Sequence, residues 1–136
     1  MNNDFNQQVI REFRSNAGKV VGNFDGRPVL LLTTTGAKSG RTHTTPVMCL
    51  AEGDALYVFA SMAGAPTSPA WYHDLLAHPG VAVEVGTERF EAQATAVDRA
   101  ERDRLYAKQA ALYSNFAEYE EKTTRVIPVV RLTRAQ

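Results

Sequence analysis

Residues 28–50 read Pro28-Val29-Leu30-Leu31-Leu32-Thr33-Thr34-Thr35-Gly36-Ala37-Lys38-Ser39-Gly40-Arg41-Thr42-His43-Thr44-Thr45-Pro46-Val47-Met48-Cys49-Leu50. Aliphatic and threonine-rich runs on either side of a glycine-bracketed loop predict two strands joined as a hairpin. A third run, Ala55 to Ala60, follows Glu52-Gly53-Asp54, whose Gly and Asp suit a tight turn. Further along, Val81 to Val85 and Phe90 to Val97 predict another hairpin turning at Gly86-Thr87, and Ile127 to Leu132 predicts a last strand.

Helical signals surround these runs. Phe5, Val9, Ile10 and Phe13 share one stripe, with Asn3 or Asp4 as cap and Gly18 as the stop. Ser68-Pro69 reads as a helix start, because Ser can satisfy the free N–H groups and Pro has none; His78-Pro79-Gly80 closes it. Asp98-Arg99-Ala100-Glu101 resembles a capping box opening a helix to about Leu112. Hairpin-connected strands with helices at the start and in between predict an α+β fold on an antiparallel sheet or small barrel.

With 136 residues, the chain is the size of one domain; 44% hydrophobic and 22% charged residues argue against disorder. Lys plus Arg and Asp plus Glu number 15 each, so overall charge predicts no nucleic-acid partner. The single cysteine, Cys49, forms no internal disulfide, and Met-Asn-Asn-Asp at the start lacks the features of a signal peptide. A cytoplasmic location is therefore expected. Val29 to Leu32 is too short to span a bilayer, leaving at most peripheral contact with the inner membrane face.

The loop Gly36 to Thr42 is a candidate anion site, where glycine N–H groups could converge beside Lys38, Arg41 and the hydroxyls of Ser39 and Thr42. No acid falls between Asp25 and Glu52, while Arg27, Lys38 and Arg41 do. Its spacing is not that of a P-loop, and a solvated hairpin tip with basic residues is an equal alternative. Ala55 to His73 carries no charged residue among Asp, Glu, Lys and Arg. Its loop from Ser61 to Pro69 is small enough in side chain for a flat ring to lie against the backbone, the plainer reading being an ordinary Gly/Pro loop. Trp71 is a core residue or the wall of an aromatic ligand. His43, His73 and His78 lack metal-ligand spacing, and no nucleophile elbow surrounds Ser61 or Cys49. Glu118, Glu120 and Glu121 read as a solvated face. Tyr113, Phe116 and Tyr119 recur every three residues, as core packing or as an aromatic wall with hydroxyls able to donate a proton.

Three separated motifs carry more: Leu30 to Pro46, then Ser61-Met62-Ala63-Gly64-Ala65-Pro66-Thr67-Ser68-Pro69-Ala70-Trp71-Tyr72-His73-Asp74-Leu75, then Phe116-Ala117-Glu118-Tyr119 with Ile127-Pro128-Val129-Val130. In order and spacing they resemble the deazaflavin-dependent nitroreductase family of actinobacteria, over about Gly26 to Leu132. The resemblance implies a split β-barrel, similar to flavin mononucleotide (FMN) barrels, as the core of a single domain 1–136, with residues 26–133 in the barrel and 1–18 as an N-terminal helix. It also implies an oxidoreductase that uses reduced coenzyme F-420 as hydride donor, with a quinone-like, nitro or enone acceptor.

Carried onto this sequence, Lys38, Ser39, Gly40, Arg41, Thr42 and His43 correspond to the loop holding the coenzyme's phosphate and oligoglutamate tail. Pro46 corresponds to a deazaflavin-lining position, and Ser61, Met62, Ala63, Gly64 and Ala65 to the second cofactor loop. Trp71 corresponds to the aromatic wall near the ring, and Tyr113, Phe116 and Tyr119, with Trp71, to the acceptor pocket. Ser61, Tyr113 and Tyr119 are the candidate catalytic hydroxyls, and no metal is implied. The chain departs from the family pattern at His43, Met62 and Asp74, where Arg, Lys and Asn are common, and at Phe116, where Tyr is common. Losing two cations implies a weaker hold on an anionic tail. The alternatives are a non-catalytic carrier of a lipid, quinone or cofactor on the same barrel, and an FMN-dependent oxidoreductase; a monomer and a homodimer are both compatible with the sequence.

Overall fold

A computed structural model describes residues 2–20 and 28–135; Arg27, a member of the acid-free window, lies outside them. Six strands, β1 (Val29–Thr35), β2 (Thr42–Glu52), β3 (Ala55–Phe59), β4 (Gly80–Val85), β5 (Glu88–Ala96) and β6 (Val129–Arg134), form the sheet. They close into a barrel in the order β1-β2-β3-β6-β5-β4, with every pairing antiparallel. Four helices pack outside it: α1 (Asn2–Ser15), α2 (Ala70–Ala77), α3 (Arg99–Leu112) and α4 (Ser114–Lys122).

The strand alternation decides which layer each side chain joins. Leu30 and Leu32 of β1 meet Val58, Val83, Val130 and Leu132 inside the barrel, while Val29 and Leu31 point out and are covered by Val9, Ile10 and Phe13 of α1. That is why β1 reads as an unbroken apolar run: it is buried on both faces. Tyr57 and Phe59 of β3 face outward beneath Leu105, Tyr106 and Phe116 of α3 and α4.

Several boundaries differ from the sequence expectation: α1 runs from Asn2 to Ser15, past the expected Asn3 or Asp4 cap and short of Gly18, and β5 spans Glu88–Ala96. Pro69, not Ser68, occupies the N-cap of α2, and the Ser68 hydroxyl instead accepts a hydrogen bond from Arg125 at 3.2 Å. The last strand begins at Val129 rather than Ile127. Pro128 has no N–H for a ladder, and Ile127 is fully buried in the outer layer instead. The polar stretch before it forms α4, and its Glu120 is paired with Arg102 at 2.8 Å rather than simply solvated. By contrast, Asp98 caps α3 as expected, accepting from the Glu101 N–H at 2.9 Å.

Helix α1 is pinned at its end. Ala17 (φ +56°) and Gly18 (φ +87°) turn the chain back, with the Gly18 N–H donating to the Phe13 carbonyl at 2.8 Å. A Cβ on Gly18 would sit 2.4 Å from the Gly86 Cα, so two glycines allow this end of the helix to rest on the β4–β5 turn. Arg14 also grips Glu84 of β4 through two bonds of 3.1 and 2.8 Å. The Arg14 hydrogen bond holds the Glu84 carboxyl below its ordinary range despite opposing desolvation. A lowered carboxyl stabilises the fold at pH above its unfolded value of about 4.3, and that gain fades as pH falls through the folded value. Protection of the α1 amides, relative to their intrinsic exchange rates, should accordingly fall in acid, and Arg14→Ala should weaken that acid response, Arg89 still pairing with Glu84 at 3.3 Å, while costing about 0.5–1 kcal/mol at neutral pH. No helix among the described residues is long and apolar enough to cross a membrane.

Candidate active site

Two adjoining cavities open on the side of the barrel where α1, the β1–β2 hairpin, α2 and α4 meet. The inner one, about 340 Å³, is lined by Pro46, Phe59, Ser61, Met62, Ala63 and Phe116, among others, with Tyr119 at its wall. The outer groove, about 920 Å³, carries Lys38, Ser39, Thr42, His43, His73 and Asp74. Asn6, Thr45 and Trp71 line both, so the two lie side by side. One end is apolar and aromatic, the other hydroxyl-rich and basic.

The β1–β2 hairpin loop builds the polar end, though not in the way its glycines suggest. Its backbone N–H groups are largely consumed internally: Gly36 donates to the Arg41 carbonyl at 2.7 Å and Gly40 to the Gly36 carbonyl at 3.0 Å. The Arg41 N–H donates to the Ser39 hydroxyl at 3.1 Å and the Ala37 N–H to Asp74 at 3.0 Å. Those four donors are therefore spent, which leaves an anion the loop's side chains and the N–H groups of Lys38 and Ser39. Among the described residues, Lys38 and Arg41 enter no ion pair. Asp74 accepts from Thr34 as well, at 3.4 Å, so its carboxylate ties the loop to α2 and serves a fixing role.

The second loop is conformationally strained. Met62 (φ +46°) and Ala63 (φ +54°) both lie in the left-handed region, followed by Gly64 at φ +83°. Ser61 before them is right-handed (φ −77°, ψ −39°). Such a right–left pair turns successive N–H groups to one side, forming a small electropositive concavity. The turn bonds here are donated by Gly64 and Ala65, not by Met62 or Ala63. Two non-glycine residues in this region cost roughly 1–3 kcal/mol each and persist only where the surroundings over-determine them.

Arg125 supplies that constraint. Its guanidinium donates to the carbonyls of Ala65 (2.9 Å), Ala60 (3.1 Å) and Ser61 (2.8 Å) and to the Ser68 hydroxyl. Sequence reading missed this residue because its partners lie 57 to 65 positions away. Its charge has no acidic neighbour in these bonds, and burial pulls its pKa downward.

Helix α4 closes the inner cavity. Phe116 is buried, stacking edge-on against Phe59, Tyr106 and Tyr119, and its carbonyl accepts from the Tyr106 hydroxyl at 2.7 Å. The Tyr119 hydroxyl accepts from the Asn115 amide at 2.9 Å, which leaves its own proton to be donated elsewhere.

Most of the expected residues converge. Lys38, Ser39, Thr42 and His43 line the groove; Pro46, Ser61, Met62, Ala63, Phe116 and Tyr119 line the inner cavity; Trp71 walls both. Gly40 and Arg41 sit at the exposed hairpin tip beyond the lining. Gly64 and Ala65 shape the second loop from behind: a Cβ on Gly64 would meet the Tyr119 carbonyl at 2.9 Å, and the Ala65 carbonyl is held by Arg125. Tyr113 stands apart from them. It occupies the extended hinge between α3 and α4, packs on the outer hydrophobic layer and borders a different groove, near Gly18 and Leu112. A three-residue spacing places Phe116 and Tyr119 together, but the break between the helices turns Tyr113 away. Phe5 and Asn6 of α1, Thr45 and Phe59 were not expected at the site.

The profile of the F420H(2)-dependent quinone reductase family matches residues 6–134. The chain belongs to this family. Its F420H(2)-dependent quinone reductase relatives include one from Mycobacterium tuberculosis, 39% identical over 126 residues that span 90% of this chain and 85% of the relative. A solved F420-H2 dependent reductase is 36% identical with a TM-score of 0.71, covering 78% of this chain and 94% of that one. A second solved chain, described as a domain-swapped dimer, is 33% identical with a TM-score of 0.72, covering 93% and 94%. The barrel of an F420H(2)-dependent quinone reductase family member is thus what the six strands form, and the residues lining its two cavities can be tested against the coenzyme.

Proposed function

We propose that this protein transfers a hydride from reduced coenzyme F-420 to a quinone-type acceptor at the two adjoining cavities. The observation that carries the reading is their adjacency, an apolar aromatic pocket sharing Asn6, Thr45 and Trp71 with a hydroxyl-rich basic groove in a chain of this family. A coenzyme with a flat, largely apolar ring at one end and a phosphate and glutamate tail at the other matches that polarity. The donor set fits: Lys38 and His43 in the groove, Arg41 at its rim, and the concavity of Met62 and Ala63 at the ring end. Asp74 keeps its negative charge in the groove while accepting from Ala37 and Thr34, so Lys38 and Arg41 have to outweigh it for an anionic tail to bind.

When bound, the coenzyme supplies a hydride, leaving the protein to provide position, dryness and a proton. Pro46, Ala63 and Trp71 line the cavity that would orient the ring, and Phe59 and Phe116 give it an apolar face. A quinone that has gained a hydride needs one proton to become the hydroquinone, and we assign its delivery to the hydroxyl of Tyr119, which lines the cavity with Ser61. Nitro and enone acceptors accept the same two-electron chemistry and belong to the range to be assayed. The buried Cys49 thiol, pushed up to about 11 by desolvation, is unreactive and suits a cytoplasmic enzyme.

The reading is tested by mixing the protein with reduced F-420 and menadione without oxygen. Menadione-dependent reoxidation above the uncatalysed rate is expected, with no comparable rate from reduced FMN; equal rates with and without protein would refute it. Lys38→Ala should raise the coenzyme Kd about tenfold, since a charge-assisted contact is worth about 1.5 kcal/mol.

A further inference from the structure

The groove and the inner cavity meet at three residues, and one of them comes from the N-terminal helix. Besides Trp71 and Thr45, the junction is lined by Asn6, a half-buried residue of α1. On the helix, Asn6 lies at the border of the buried stripe of Val9 and Phe13, on the same flank as Ile10 and Arg14, which also line the groove. The helix cannot slide freely: Val9, Ile10 and Phe13 are buried on the barrel, Arg14 holds Glu84, and Gly18 rests on Gly86. Asn6 is therefore fixed at the point where an apolar surrounding changes to a basic one.

The junction chemistry is neutral and hydrogen-bonding: a carboxamide that donates and accepts, a threonine hydroxyl and the Trp71 ring. That set suits uncharged hydroxyl groups better than a charge or a hydrocarbon. On the reading of the site given above, the part of the coenzyme lying between ring and phosphate is a polyol chain, the ribityl segment. We propose that Asn6 is a coenzyme-binding residue that hydrogen-bonds this polyol, so that α1 forms a wall of the active site rather than a separate appendage. The inference rests on the F-420 reading and adds a residue and an element to it.

The ligand pair that tests it is F-420 and its phosphate-free fragment, which keeps the deazaflavin and ribityl chain but lacks phosphate and glutamates. Binding of each is measured by fluorescence titration to wild type, Asn6→Ala, Lys38→Ala and Gln8→Ala, the last an exposed position on the same helix. Alanine preserves helix propensity at position 6, and thermal unfolding checks that each variant is folded. Asn6→Ala is expected to weaken both ligands by a similar factor, about five- to tenfold. Lys38→Ala should weaken only F-420, and Gln8→Ala neither. Unchanged affinity of Asn6→Ala for the fragment overturns the proposal while leaving the F-420 reading intact. Failure of the wild type to bind either ligand removes the F-420 reading itself and the proposal with it.

Discussion

Arg125→Ala should lower kcat/KM for quinone reduction about a hundredfold and destabilise the fold by about 2–3 kcal/mol. Among the described residues, the guanidinium is the sole side chain bonding the carbonyls of Ala60, Ser61 and Ala65 at once. Truncating it strips those acceptors of a charged donor, each such loss costing about 1–3 kcal/mol where water does not replace it. The loss falls on a segment already strained at Met62 and Ala63, so the loop is free to relax into ordinary backbone regions. Relaxation removes the right–left concavity from the ring end of the cavity, and misplacement by an ångström is worth about a hundredfold in rate. Arg125→Lys should recover little, because one ammonium cannot reproduce a planar fork spread over four acceptors. Chemical denaturation and steady-state kinetics measure the two effects separately; full activity in a folded Arg125→Ala protein would remove the clamp from the account.

Gly64→Ala should be nearly as damaging for a different reason. A side chain at φ +83° is strained in itself, and its Cβ would lie 2.9 Å from the Tyr119 carbonyl, 3.0 Å from the Lys122 Cβ and 3.1 Å from the Tyr119 Cα. Two of these contacts are helix backbone, so α4 must shift as a unit. We expect a loss of about 2–4 kcal/mol, combining the left-handed backbone penalty with overpacking. Because α4 carries both Phe116 and Tyr119, kcat should fall by roughly a hundredfold. Gly53→Ala, at a turn of similar φ (+62°) with open space around it, provides the contrast: backbone strain of about 1 kcal/mol without loss of activity.

The architecture was legible where the sequence signal is local. Runs of β-branched residues, the Asp98 cap and the Gly53 and Gly86 turns each act within a few residues, and β1, β2, β3, the β4–β5 hairpin and α3 form as read. The barrel closure was less so, since β1 pairs with β4 and β3 with β6 across long separations that no periodicity encodes. The motif residues Lys38, Pro46, Ser61 and Trp71 do come together, yet their supports did not announce themselves. Arg125 resembles any surface arginine until the loop it clamps is seen in space. Asp74 reads as a lost neutral residue in an anion site, whereas its carboxylate is turned to the Ala37 N–H. Tyr113 lies apart from Phe116 and Tyr119 because the chain breaks between α3 and α4 at this residue, whose backbone is extended (φ −135°, ψ 104°).

The deazaflavin ring is assigned to the apolar pocket beside Trp71, with the rest of the coenzyme running into the groove, and Trp71 reports on the ring directly. It is the only tryptophan in the chain, is 7% exposed and walls both cavities. Titrating the protein with oxidised F-420 while following tryptophan emission should give saturable quenching at one coenzyme per chain. The same midpoint should appear when binding is followed by the coenzyme's own fluorescence. Coenzyme binding with Trp71 emission unchanged at saturation would place the ring elsewhere and contradict the account.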